Sequence, residues 1–146
     1  MASGRQLFCR IITPERMVYD GEAEMVKVRI ADGDIGVMAD HQPIVSTVGI
    51  RDVQVVKEGD EREVFAVSDG FFKVSENLVQ ILVEEATSAN DIDADAAEND
   101  VEEADRELSE LSGGDDEEEA GRRREELQRR RSIGENMARV ARRYGE

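Results

Sequence analysis

Apolar and polar residues alternate through the first 88 residues of the chain. In the stretch 25–30, Val26, Val28 and Ile30 fall on one side and Lys27 and Arg29 on the other, the period-two pattern of a half-buried strand. The stretches 53–57 and 63–67 flank Glu58-Gly59-Asp60-Glu61, which predicts a hairpin with Gly59 in the turn. The stretches 71–75 and 78–83 flank Glu76-Asn77, a second and tighter hairpin. Residues 8–12 and 17–19 give two more strands, split by Thr13-Pro14-Glu15. Short strands punctuated by turn signals about every 8–12 residues predict an antiparallel sandwich or barrel.

The period changes near Ser88-Ala89. Beyond it, β-branched residues thin out, and Ala97, Val101, Ala104, Leu108 and Leu111 follow one another at alternating steps of four and three. That is a helical stripe with coiled-coil-like spacing. Asn90 or Asp91 can cap its start, with Asp93 in the first turn, and Ser112-Gly113-Gly114 ends it. A second helix is predicted from about 115 toward Tyr144, with a sparse apolar set of Leu127, Ile133, Met137, Val140 and Tyr144. The chain thus divides into a β-domain, 1–88, and a two-helix tail, 89–146.

Charge separates the two helices. Residues 89–119 hold 15 acidic residues against one arginine, and residues 120–146 hold nine arginines against four glutamates. The acidic run 115–119 and Arg142-Arg143 lie at the N- and C-terminal ends of the second helix, where the helix dipole favours each sign. If the helices fold back on one another, acid lies beside base. Exposed pairs of this kind are individually weak and are screened by salt. With a seam this thin, an isolated two-helix hairpin is marginal, so the tail is expected to detach and take another conformation. Amide exchange in the tail as slow as in the β-domain would contradict that expectation.

The net charge of −16 disfavours phosphate-driven nucleic-acid binding, and two Tyr, four Phe and no Trp offer no stacking platform. The single cysteine, Cys9, cannot form an internal disulfide, which fits a reducing compartment. No apolar run is long enough to span a membrane, and the N-terminus has no signal-peptide pattern.

Candidate chemistry is sparse. His41 is the only histidine and has no second His or Cys to build a triad or a metal site; it is expected to be a loop residue with a packing or contact role. Cys9 reads as a filler in an alternating strand, with nothing nearby to make it reactive. Gly33 and Gly36 bracket Asp34-Ile35 without the lysine of a phosphate loop or the third glycine of a dinucleotide fold. Their use is shape, where a strand must turn sharply or approach another surface. The acidic 91–95 stretch lacks the glycine and the closing glutamate of a calcium loop. Arg122-Arg123-Arg124 and Arg129-Arg130-Arg131 form either a solvated face neutralised by the acidic helix or a surface that meets an acidic protein when the tail opens.

Several motifs, in order, resemble the ε-subunit family of F-type ATP synthases. Thr13-Pro14 followed by Val18-Tyr19-Asp20-Gly21 is similar to that family's opening strand pair. Gly33-Asp34-Ile35-Gly36 resembles its Gly-Glu-Leu-Gly loop, and Asp40-His41-Gln42-Pro43 its Gly-His-x-Pro. Val67 to Val74 resembles its Val-Ser-Gly-Gly-Phe-x-x-Val hairpin, and 79–82 with Glu85-Ala86 its last strand. The likeness is specific over 1–88 and architectural over 89–146.

The resemblance implies a ten-stranded antiparallel β-sandwich followed by a C-terminal α-helical hairpin, without catalytic or metal residues of its own. Its partners would be the γ subunit, the membrane rotor c-ring and the catalytic β subunits. It would act peripherally at the cytoplasmic face of the plasma membrane or its thylakoid counterpart. Asp34, Gly36 and His41 would contact rotor and γ, and Arg122, Arg123, Arg124, Arg129, Arg130 and Arg131 would meet acidic catalytic surfaces when the tail restrains ATP hydrolysis. Some relatives bind ATP on the tail through Ile-Asp-x-x-Arg-Ala. Here Ile92 and Asp93 stand in place, but Ala96 replaces the arginine and Asp95 adds a negative charge beside it. A triphosphate needs cationic donors, so ATP binding at Ile92 and Asp93 is expected to be weak or absent, with arginines of the second helix the one source of partial compensation. Asp40 and Asp69 also stand where the family carries glycines, in turns that tolerate aspartate. The alternative reading, outside this family, is a free-standing acidic adaptor for a basic protein partner.

Overall fold

The computed structural model describes residues 6–111 and 117–145. They form two compact units that divide between Ala89 and Asn90.

The first unit holds ten strands: β1 Leu7–Ile12, β2 Met17–Ala23, β3 Met25–Ile30, β4 Gly33–Met38, β5 Ile44–Val48, β6 Arg51–Val56, β7 Arg62–Val67, β8 Gly70–Ser75, β9 Leu78–Val83 and β10 Ala86–Ser88. One half runs β10-β7-β6-β3, with β4 on the far side of β3; the other runs β5-β8-β9-β1-β2. A single pairing, Ile30 with Val48, joins the halves. Pairing is antiparallel except between β1 and β9, which run parallel. The alternating residues of both halves face inward, and Val26, Val28, Val53, Val55, Phe65, Phe72, Val74, Val79 and Ile81 build one core. Tyr19 on β2 meets Phe65 on β7 edge to face, with ring centroids 5.9 Å apart. Removing a buried aromatic such as Phe72 costs about 3–5 kcal/mol, so packing rather than surface charge holds this unit together.

The turns explain their own residues. Glu76 and Asn77 both have positive φ, 50° and 62°, the two-residue geometry that matches the twist of a hairpin. Gly59 (φ 77°) turns the chain between β6 and β7. Cys9 is buried in the core, and burial, then the Asp20 charge, pushes its thiol up to about 12. The thiolate that reacts with oxidants and metals is therefore suppressed.

Three strands were not legible in the alternation. β4 contains the Gly33–Gly36 motif, which is strand rather than loop; its register against β3 is continuous, from Met25 opposite Met38 to Ile30 opposite Gly33. Only Gly33 needs glycine's freedom, at φ 122°. β5 and β10 are the other two.

In the second unit, α1 spans Ala94–Glu110 and α2 spans Glu117–Tyr144. The first cap is Asp93, whose carboxylate accepts the Ala96 amide at 3.1 Å. Asn90 and Asp91 instead belong to a short 3-10 turn over Ala89–Asp91. The expected Ser112–Gly114 stop and the first two acids of the 115–119 run lie outside the described residues. The buried positions of the helical pair combine small residues with Leu127 and Val140 on α2. Ala97 and Ala104 are buried on α1, and Gly134 and Ala138 on α2. A Cβ at Gly134 would lie 2.9 Å from Val101 Cγ2 and 3.2 Å from the Ala97 carbonyl oxygen. The helices therefore approach more closely there than a larger side chain allows. Of the apolar set expected on the second helix, Leu127 and Val140 are buried, whereas Ile133, Met137 and Tyr144 are only half-buried.

Candidate functional site

The outer face of the β5-β8-β9-β1 half carries a run of apolar side chains. Register fixes the neighbours: Phe71 lies opposite Leu82, Leu82 opposite Ile12, and Leu78 opposite Phe8. Val45 pairs with Lys73, which lies two residues from Phe71 on the same face. Phe71 is 63% exposed, Val45 72%, Leu82 45% and Phe8 42%. The apolar residues fall in two groups, Phe71-Leu82-Ile12 and Leu78-Phe8, with the polar row Lys73-Gln80-Arg10 between them; single exposed apolar residues are ordinary, and it is their grouping that makes this face a candidate interaction surface. Sequence reasoning missed this face. The signal was present in strands apolar on both sides, Phe71 beside Phe72 and Leu82 beside Ile81 and Val83, since a strand with one wet face should alternate.

Asp34 points outward from β4. Arg29 lies opposite it on β3 and grips it as a fork, Nε donating to Oδ1 at 2.7 Å and Nη2 to Oδ2 at 3.3 Å. The hydrogen bond from Arg29 holds the Asp34 carboxyl below the usual carboxylate range. Arg29 was not among the expected site residues. Gly36 shares the outer face of β4, exposed, and a Cβ there would meet the Met25 sulfur at 3.0 Å.

His41 sits past the opposite end of β4. Asp34 and Met38 are four residues apart on one strand, roughly 13 Å at strand rise, so Asp34 and His41 do not form one cluster. The His41 loop is tied down locally. Its amide donates to the Met38 carbonyl at 3.2 Å, and Nδ1 donates to the Gln42 carbonyl at 2.7 Å. Asp40 adopts φ 66°, a conformation that glycine takes most readily and aspartate tolerates. Its amide donates to Asn77 Oδ1 at 2.6 Å, so the β8–β9 turn anchors this loop.

On the tail, Arg123, Arg130 and Arg131 of the expected contact arginines face the acids of α1. Arg123 Nη2 donates to Glu107 at 2.7 Å, Arg131 Nε donates to Asp105 at 2.5 Å, and Arg130 lies 3.5 Å from Glu103 and 3.8 Å from Asp100. Arg142 adds a pair with Glu98 at the other end. Arg122, Arg124 and Arg129 are exposed. Asp93 of the ATP-like motif is committed to capping its own helix, while Ile92 is half-buried and Ala96 exposed. Among the described residues no group of three or more His, Cys, Asp or Glu is placed to hold a metal ion. No described helix is long and apolar enough to cross a membrane.

Residues 6–89 match the family model described as the β-sandwich domain of the ATP synthase delta/epsilon chain. The chain is 60% identical to the ATP synthase epsilon chain of Rubrobacter xylanophilus over 142 residues, 97% of this chain and 96% of the relative. It is 42% identical to that of Brevibacillus brevis over 100 residues, 68% of this chain and 76% of the relative. Its fold matches a chain in the OSCP/F1/c-ring structure of the Euglena gracilis mitochondrial ATP synthase, with a TM-score of 0.72 and 22% identity over 90% of this chain and 79% of that one. It also matches one in the central stalk/c-ring structure of the Tetrahymena thermophila enzyme, with a TM-score of 0.59 and 10% identity over 94% and 97%. A ten-stranded sandwich, a helical pair and near full-length identity to an epsilon chain agree: the chain belongs to the ATP synthase epsilon-chain family.

Proposed function

We propose that this chain is a non-catalytic central-stalk subunit that couples γ to the membrane rotor ring and restrains ATP hydrolysis through its C-terminal helices. The observation that carries the reading is the apolar outer face around Phe71 and Leu82, a docking surface in a family whose members assemble into ATP synthase. In this reading the face is covered by γ. Asp34 with Gly36, and separately His41, meet the polar rotor loops and γ at two points along β4. The chain works peripherally on the cytoplasmic face of the membrane. Arg122 to Arg131 meet acidic surfaces of the catalytic β subunits when the tail extends. The adaptor reading explains the acidic charge but gives no account of near full-length identity to an epsilon chain.

The test is ATP hydrolysis by the reconstituted catalytic head with γ, comparing the full chain with a version ending at Ser88. Both should bind, and only the full chain should suppress hydrolysis. Binding of both with equal hydrolysis would remove the braking role and leave the coupling role.

The tail is not expected to respond to ATP. Asp93 is engaged by its own helix and Ala96 provides no cation, while a triphosphate needs charged donors. Titration calorimetry on the full chain should register no ATP binding at millimolar nucleotide, and sub-millimolar binding would sink the idea.

A further inference from the structure

The segment 39–43 leaves β4 in one half of the sandwich and enters β5 in the other. It carries His41 and follows directly on Met38, which is exposed. At its centre Asp40 has φ 66°, and the amide there donates to Asn77 Oδ1 at 2.6 Å. The carbonyl of Asn77 in turn accepts the Phe8 amide at 2.8 Å. Phe8 lies opposite Leu78, the second of the two apolar groups on the outer face. Asn77 therefore bonds to the His41 loop through its side chain and to the edge of the apolar face through its backbone.

The turn alone does not call for an asparagine. Glu76 and Asn77 both have positive φ, and a turn of that kind favours glycine at its second central position. A side chain at φ 62° is less favourable than none. The side chain that stands there supplies an acceptor that glycine lacks, and the acceptor is used on a residue 37 positions away in sequence. Fixing the backbone of an exposed loop opposes its conformational entropy, and this bond offsets part of that cost.

We propose that Asn77 is a positioning residue that holds the His41 loop in fixed register with the apolar face, so that the sandwich presents its two contact surfaces as one rigid unit. What those surfaces touch, γ and the rotor ring, rests on the functional reading above. The tie itself does not.

The test uses the full chain in two variants. Asn77→Gly keeps the turn and removes the acceptor, whereas Asn77→Asp keeps an acceptor oxygen. Hydrogen exchange at the Asp40 amide, read by NMR, should accelerate roughly tenfold in Asn77→Gly, as expected for the loss of one ordinary hydrogen bond, and stay near the parent rate in Asn77→Asp. Affinity for the γ-containing catalytic head should be unchanged in both, because Phe71, Leu82 and the Asn77 carbonyl are untouched. Capture of that complex by the isolated rotor ring should weaken about fivefold or more in Asn77→Gly and recover in Asn77→Asp. An unaltered Asp40 exchange rate in Asn77→Gly would overturn the tie. Faster exchange with undiminished capture, in an assay that His41→Ala weakens, would overturn the positioning role, as would equal weakening of both contacts. Capture that His41→Ala leaves unchanged would instead refute the rotor contact assigned to this loop, and with it the functional half of the proposal.

Discussion

Gly70→Ala is expected to lower the chain's thermal midpoint by on the order of 10–20 °C. Gly70 opens β8 and pairs with Val83 on β9 and with Val48 on β5. A Cβ built there would lie 2.0 Å from the Leu82 carbonyl oxygen and 2.9 Å from Val83 Cα. Both are backbone atoms, so no side chain can swing aside, and the strands themselves must separate. Overpacking of this kind costs about 1–3 kcal/mol and occasionally more. A backbone clash belongs at the upper end, and each kcal/mol moves the midpoint of a small domain by about 4–8 °C. Circular dichroism of the full chain followed through the strand signal measures it. A shift below a few degrees would mean that β8 and β9 slide freely and that the glycine is incidental. The same geometry explains why glycine stands at 70 while aspartate fits at 69. Asp69 precedes the strand, where a side chain has room, whereas Gly70 does not.

Phe71→Glu combined with Leu82→Glu is expected to weaken binding to the γ-containing catalytic head by about 100-fold or more, the equivalent of about 2.8 kcal/mol. The two side chains are directly opposed on the outer sheet face and largely exposed. Aromatic residues at the centre of a docking patch dominate its energetics, and two carboxylates there must be dehydrated without partners. Exposed substitutions usually change stability by less than about 0.5 kcal/mol, so the midpoint should stay nearly fixed. Loss of affinity with an unchanged midpoint separates a docking role from a folding role. Unchanged affinity would move the γ interface to another face of the sandwich.

Much of the fold was legible in the chain because one face of each strand is buried. The alternation over 25–30 and 78–83 gave β3 and β9 with their observed bounds, and Glu76-Asn77 announced its turn. β4 was missed because Gly33 and Gly36 weaken the alternating signal, and their spacing looks like a loop until register with β3 supplies the hydrogen bonds. β10 is three residues long, too short for any periodicity. In the tail, charge complementarity put acid beside base for the case that the helices fold back, and Arg123, Arg130 and Arg131 do lie beside α1 carboxylates. The small-residue seam was hidden because Gly134 and Ala138 carry no apolar signal of their own and matter only through the approach of a second helix.

The candidate site was less legible. Asp34 and His41 stand seven residues apart in sequence, and the resemblance assigned both to the rotor and γ contact. The extended conformation of β4 instead sets them toward opposite ends of a strand. Arg29, which fixes Asp34, and Asn77, which fixes the Asp40–His41 loop, come from β3 and from the β8–β9 turn. Only the fold brings them to those partners. The exposed apolar face is likewise a property of register across four strands and not of any one stretch of sequence.

The most direct test of the central-stalk assignment is recovery of the tagged full chain from native membranes under mild detergent, with its companions identified and counted. The account predicts one copy of the chain per γ, together with the catalytic subunits and the rotor ring, and loss of that set with the Phe71→Glu/Leu82→Glu variant. Recovery of the chain alone, or with basic soluble factors in place of γ, would contradict it.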